Sequence, residues 1–419
     1  MNIYAIIILS TILLEFILDL AADLFNLKAL SPTLPQEFTG HYDAEKYAKS
    51  QRYTRVNTYF GFVTGTFDLV VILVFWFAGG FQYLDGLVRG WNLHAIWTGL
   101  IYIGILVFVK MVLSLPFSIY STFVIEEKFG FNRTTVKTFV LDLLKGLLLG
   151  ILLGGPILAG VLAFFQYAGS LAWLYCWIAV TLFSLIIQYV APTWIMPLFN
   201  KFKPIEDGEL KERIMAYAQS VKYSLKEVMI MDGSKRSSKS NAFFTGFGKN
   251  KRIALFDTLV ERHSVGELVA VLAHEIGHYK KKHILKGMVT GILHSGVMFF
   301  LLSLFISNKD LFAAFYVKEV SIYAGLLFFG MLYAPIEMIL SIFMNIVSRR
   351  HEYEADRFAV ETTREPETFV TALKKLVVDN LSNLTPHPFY VFFNYSHPPV
   401  LARIQAIRQV GVKLPEAHV

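Results

Sequence analysis

The sequence predicts an all-α polytopic membrane protein: seven transmembrane helices around a polar chamber, with a zinc-motif domain that contains a small β-hairpin or meander. Three observations carry the prediction. Apolar residues make up 55% of the 419 residues and fall into long blocks rather than being scattered, and about 20 apolar residues cross a hydrocarbon core as a helix. Charged residues interrupt several of these blocks, and charge at membrane depth faces a partner or water. Between the fifth and sixth blocks lies a polar stretch with mixed strand and helix signals.

The predicted spans are about Ile3–Leu24, Tyr59–Phe81, Ala95–Ile119, Phe139–Phe165, Leu171–Leu198, Ile284–Ile306 and Ile322–Val347. The first lacks a basic leader and carries Glu15 and Asp19, so it reads as a helix that stays in the membrane. The fourth and fifth are joined by a short connection and form a tight antiparallel hairpin. Pro116, Pro156, Pro192 and Pro335 lie within spans, where neighbouring helices can satisfy the freed backbone groups. Glu15, Asp19, Asp68, Lys110, Asp142, Lys145 and Glu337 fall inside spans and imply a polar interior, although charges near span ends can also snorkel.

Lys and Arg set the orientation. The first loop holds Lys28, Lys46, Lys49, Arg52 and Arg55, the third Lys128, Arg133 and Lys137, while the second holds only Arg89 and the fourth none. Odd loops are then cytoplasmic, as are the fifth loop and the C-terminal tail. The net charge of +7 sits in these loops and suits anionic lipid headgroups rather than nucleic acid. One cysteine, Cys176, lies in an apolar block and can form no internal disulfide. The domain division is 1–199, five helices; 200–283, the cytoplasmic loop; 284–347, two helices; and 348–419, a C-terminal part.

Within the fifth loop, Ile205–Val221 has helical spacing and Val228–Met231 is a short apolar run ending at the turn Asp232-Gly233. Asn241–Gly246 and Ile253–Leu259 are β-prone runs flanking Gly248-Lys249-Asn250, a hairpin. Ser264 with Glu267 forms a capping box that opens a helix. That helix contains His274-Glu275-Ile276-Gly277-His278, the H-E-x-x-H pattern. Residues four apart share a helix face, so both imidazoles reach one zinc ion. Glu275 lies on the same side and can take a proton from an attacking water as general base. Catalytic zinc takes three protein ligands and keeps a position open. No histidine follows at the short metzincin spacing, so the third ligand comes from elsewhere. Glu352 and Asp356, four apart after the last span, are the best candidates: one acid to bind the metal, the other to orient a ligand histidine. Glu354 points roughly the opposite way.

Further stretches make the pattern specific. Phe123–Asn132, Ser240–Gly246, His274–His278, Glu352–Asp356, and Tyr395-Ser396-His397-Pro398-Pro399 followed by Arg403 occur in this order. Together they resemble the type I CAAX prenyl proteases, integral-membrane zinc metalloproteases. The resemblance covers most of the chain. It implies one zinc ion per chain, Glu352 as third ligand, Asp356 as the partner of a ligand histidine, and His397 and Arg403 as candidate donors to the oxyanion. It also implies a water-filled chamber closed by the zinc domain, and a peptide or protein substrate, possibly prenylated, at the surface of the lipid bilayer. Asn241 begins a strand-like run beside the metal helix. It either fixes an extended substrate by strand addition or caps a turn. His294 is placed in the sixth span, facing the chamber, and His263, His283, His351 and His387 are read as surface or interface residues.

The tail Pro415-Glu416-Ala417-His418-Val419 lacks a basic retrieval signal, which favours a bacterial plasma membrane. Two readings compete with CAAX-type cleavage: a membrane quality-control zinc protease acting on unprenylated peptides, and a transporter whose H-E-x-x-H is structural.

Overall fold

In the computed structural model the described residues are 1–245 and 252–413. The expected turn Gly248-Lys249-Asn250, Gly246 before it and the tail from Pro415 lie outside them.

Among the described residues seven helices are long and apolar enough to cross a membrane. Five come first: α1 (Ile3–Lys28), α2 (Ala44–Phe77), α3 (Ala95–Glu126), α4 (Val136–Tyr167) and α5 (Gly169–Phe199). The two remaining spans follow the zinc motif. Helix α2 begins well before the predicted Tyr59, because Asp43 caps it by accepting from Lys46 N at 2.6 Å and the polar first turns bury Tyr47, Ser50 and Gln51. It ends before the predicted Phe81, because Gly79 takes φ 74 and starts a separate short helix, Gly80–Arg89. Gly169, at φ 61, makes the tight link expected between α4 and α5. Near Pro156 and Pro192 the helices widen into π turns, Gly150–Gly154 and Ala191–Ile195. This accommodates a ring that cannot donate and crowds the preceding turn.

The domain beyond α5 carries strands β1 (Phe202–Pro204), β2 (Glu227–Met231), β3 (Ala242–Thr245) and β4 (Arg252–Phe256), with α6 (Glu209–Ser220) between the first two. The sheet order is β1-β2-β4-β3, with β3 antiparallel to β4 and β2 parallel to it. The expected hairpin is therefore present but joins a mixed sheet, not a meander. The run predicted to extend to Leu259 stops at Phe256, because the Asp257 carboxylate accepts from Thr258 N and Ser234 N and opens a short helix, Asp257–Arg262.

Helix α7 (Val265–Lys280) begins with the expected capping box: Glu267 N donates to Ser264 Oγ and Ser264 N to Glu267 Oε2. Lys282, at φ 58, turns the chain directly into the sixth span, α8 (His283–Phe305). The seventh span, α9 (Ile322–Thr363), is one helix of 42 residues. The acidic segment placed after a separate last span is its C-terminal part, with no break near Val347. α10 (Pro366–Asp379), α11 (Pro388–Asn394) and α12 (Val400–Val412) complete the fold.

Two of the hydrophobic cores are the largest and hold most of these elements. Leu268, Leu272, Ala273 and Ile276 of α7 pack with Ile253, Leu255, Phe369, Leu373, Ile404 and Ile407 under the sheet; each large apolar side chain buried there contributes about 1.5–3 kcal/mol. At the opposite end of the bundle Trp76, Phe81, Tyr102, Phe312, Phe315 and Phe328 form an aromatic plug. Between these ends several charged side chains lie within the spans. Asp68 and Lys110 pair at 2.5 Å with about half of each side chain accessible, in the middle of α2 and α3. An open ion pair at that depth requires water beside it. His294 and Glu337, 3.2 Å apart, form a second such pair. Asp142 and Lys145 serve the junction instead. Lys145 donates to Leu198 O at 2.7 Å, and Arg236 grips Asp142 in two bonds while donating to Phe199 O. Together they satisfy the last carbonyls of α5.

Candidate metal centre

Helices α7 and α9 cross at the zinc motif. Their close approach depends on Gly277: a Cβ there would lie 3.0 Å from Ala355 O, 3.1 Å from Ala355 Cα and 3.2 Å from the Phe358 ring. With no side chain at that position, α9 lies against the H-E-x-x-H turn and brings Glu352 under both histidines. His274 Nε2 and His278 Nε2 stand 3.1 Å apart, and the Glu352 oxygens lie 3.4 and 3.2 Å from them. Ligands at about 2.0–2.1 Å from a tetrahedral zinc are separated by about 3.3 Å, so these edges fit the ion. Glu352 Oε2 is buried and makes no hydrogen bond among the described residues, a cost a metal ligand does not incur.

Asp356 lies one turn further along α9. Its Oδ1 is 2.8 Å from His274 Nδ1, which fixes the proton on that nitrogen and turns Nε2 toward the centre. Burial pushes the His274 imidazole down, but the adjacent Asp356 and Glu352 carboxylates outweigh it and raise its pKa to about 9 in the protein alone. Arg403 on α12 reaches Asp356 through two bonds, Nε to Oδ2 at 2.8 Å and Nη2 to Oδ1 at 2.6 Å, and places Nη1 3.5 Å from Glu352 Oε2. Those two donors are thereby committed to the Asp356 carboxylate, and Nη1 is the Arg403 nitrogen nearest the Glu352 side of the centre. His397 is largely exposed, with Nε2 3.4 Å from Glu352 Oε1 and Nδ1 3.0 Å from Ser396 Oγ. Glu275 is half-buried, and its carboxylate has no hydrogen-bond partner among the described residues.

Asn241 is exposed at the start of β3, and its Oδ1 accepts from Ala242 N at 2.8 Å. Strand β3 has β4 on one side only, so its other edge is unpaired among the described residues. The Phe123–Asn132 stretch explains how that edge is held: Glu126 pairs with Lys239 at 2.9 Å, the Lys239 ammonium sits 4.5 Å from the Phe131 ring centre, and Ser238 N donates to Phe131 O.

Sequence reasoning missed three contributors. Gly277, given no role from the sequence, permits the close approach of α9 to the zinc motif. Arg349 donates to Val391 O and Tyr395 O and so ties α9 to the loop carrying His397. His283, read as a surface or interface residue, is buried, with Nδ1 3.1 Å from His278 Nδ1. The signal for it was present: it follows His278 by five residues, across a turn. His263 is also buried, its Nδ1 3.1 Å from Leu259 O, while His387 caps α11 and stacks on Phe25, an interface role as expected.

A polytopic helix bundle joined to a His-His-Glu centre with a free glutamate beside it defines a membrane-embedded zinc metallopeptidase. Comparison with known proteins agrees. Residues 23–201 match the model of the CAAX prenyl protease N-terminal region with five membrane helices, and residues 204–410 match that of peptidase family M48. The chain belongs to this family. It is 36% identical to a CAAX prenyl protease 1 homolog of Arabidopsis thaliana over 413 residues, covering 96% of each chain. It is 35% identical to CAAX prenyl protease 1 of Saccharomyces cerevisiae, covering 91% of this chain and 89% of the other. The crystal structure of S. mikatae Ste24p superposes with a TM-score of 0.91 at 33% identity, covering 97% of this chain and 99% of that one. The chain is thus a multi-pass integral-membrane zinc metalloendopeptidase. These relatives are eukaryotic, so they lend no support to the bacterial membrane expected from the tail.

Proposed function

We propose that the enzyme cleaves peptide bonds near the C-terminus of prenylated CAAX-type substrates, with its site on the cytoplasmic side of the membrane. His274, His278 and Glu352 hold the zinc, and the observation that carries this is the near-tetrahedral spacing of their ligand atoms. Zinc, when bound, polarises a carbonyl and makes a neighbouring water acidic near neutral pH. Glu275 takes the proton of the attacking water and delivers it to the leaving amine. His397, exposed and within reach of the centre, donates to the developing oxyanion. Asp356, itself held by Arg403, keeps His274 in the tautomer that ligates. An extended peptide adds to the free edge of β3, where Asn241 engages its backbone.

The prenylated substrate class is supported by the relatives, which are CAAX prenyl proteases, and by a zinc helix that passes in one turn into a membrane span. The Lys- and Arg-rich odd loops support the cytoplasmic side. The test is cleavage of a farnesylated C-terminal peptide by the purified full-length protein, before and after chelation and zinc restoration. Cleavage that is lost on chelation, restored by zinc and stronger than on the unprenylated peptide is expected. Equal cleavage of both peptides would overturn the substrate class, and cleavage that survives chelation would overturn the metal reading.

A further inference from the structure

His274 and His278 are oriented by different means. The first donates directly to a carboxylate. Behind the second stands another imidazole: His283 Nδ1 is 3.1 Å from His278 Nδ1, and His283 Nε2 is 3.1 Å from Glu354 Oε2. The donors and acceptors in this chain admit one arrangement if His278 Nε2 faces a metal. The His278 proton is then on Nδ1, so His283 Nδ1 must accept it. The His283 proton is therefore on Nε2, and the Glu354 carboxylate, which only accepts, receives it.

The surroundings hold His283 for this purpose. Its ring is buried and stacks on His351 at 3.9 Å with planes 11° apart. Lys282, in the left-handed conformation, turns the chain so that His283 returns behind His278 rather than continuing around the helix. Glu354 is further tied to Arg350 at 3.3 Å. It comes from the same helix as Glu352 but from its other side, so α9 supplies a metal ligand to one flank of the motif and an anchor to the other.

We propose that His283 and Glu354 form a relay that positions His278, fixing its tautomer and ring orientation for zinc. The inference rests on the metal reading above and adds two positioning residues to it. Outer partners of metal-bound histidines typically affect affinity by about 10- to 100-fold.

The test uses the full-length protein in detergent, with zinc affinity read by competition against a chromogenic chelator and the visible spectrum read after cobalt substitution. His283→Phe keeps a ring against His351 but removes the acceptor, and is expected to weaken zinc about 10- to 100-fold and to alter the cobalt spectrum. His283→Asn offers an oxygen near the Nδ1 position and is expected to bind within about threefold of the parent, as is Glu354→Gln, which still accepts. His283→Phe binding zinc as tightly as the parent, or His283→Asn losing as much as His283→Phe, overturns the relay and leaves the metal reading intact. A parent protein that takes up no zinc, or a His278→Ala variant that binds it as the parent does, overturns the metal reading and the relay together.

Discussion

Replacing Gly277 by alanine tests the helix crossing that assembles the metal centre. The added Cβ meets Ala355 O at 3.0 Å and Ala355 Cα at 3.1 Å, whereas carbon contacts settle at about 3.5–4.0 Å. Both atoms are backbone and cannot rotate away. The two helices must therefore part by roughly half an ångström. Metal ligands tolerate about 0.2 Å, and Glu352 lies one turn from Ala355 on the same rigid helix. Overpacking of this kind costs about 1–3 kcal/mol, while alanine in place of glycine returns about 1 kcal/mol of helix propensity. Overall stability should therefore fall by about 0–2 kcal/mol. If the misfit falls on the ligand set, zinc affinity should drop by about 5- to 150-fold, the equivalent of 1–3 kcal/mol. The assay is chelator competition for affinity beside thermal unfolding for stability. Gly277→Ala with parental zinc affinity would show that Glu352 reaches the ion without this close approach.

Glu275→Gln should keep stoichiometric zinc and lower turnover by about 10²- to 10⁴-fold; a zinc-replete variant with near-normal turnover excludes the general-base role. Glu352→Ala should reduce bound zinc below one per chain by elemental analysis, and an unchanged ratio points to a different third ligand. His274 sets a pH dependence. Its pKa in the folded chain is raised to about 9 from 6.5, so its proton stabilises the metal-stripped protein fully below pH 6.5, and that contribution is lost as pH rises through 9. Zinc must displace the same proton, so its apparent affinity should rise across the same window. Chelator competition at stepped pH checks the second effect, and thermal unfolding of stripped protein the first; a flat affinity profile contradicts both.

Much of this architecture was legible because its signals are local. Twenty apolar residues, a capping box and two histidines one turn apart each report on a few neighbouring positions. What stayed hidden depends on contacts between remote segments. Gly277 looks like a filler until Ala355 is found against it. The two-bond grip of Arg403 on Asp356 joins segments 47 residues apart, which spacing does not announce. His283 follows the zinc motif across a turn whose direction depends on the backbone of Lys282, and periodicity does not encode a left-handed residue. The full length of the last helix stayed hidden for another reason: hydropathy falls where a helix leaves the membrane, but the helix does not stop there.

That continuity gives the lipid a say in the chemistry. A helix of 42 residues is about 63 Å long, and Glu352 lies 17 positions beyond Pro335 (352 − 335), about 25 Å along the axis. Bilayers of unequal thickness tilt the helices they contain, and a change of about 5° pivoting at that proline, where the hydrogen-bond ladder is interrupted, swings the carboxylate by about 2 Å. The rod thus has the geometry of a lever with one arm in hydrocarbon and its tip at the metal ligands, and the packing of α7, α10 and α12 against that tip is what holds it still.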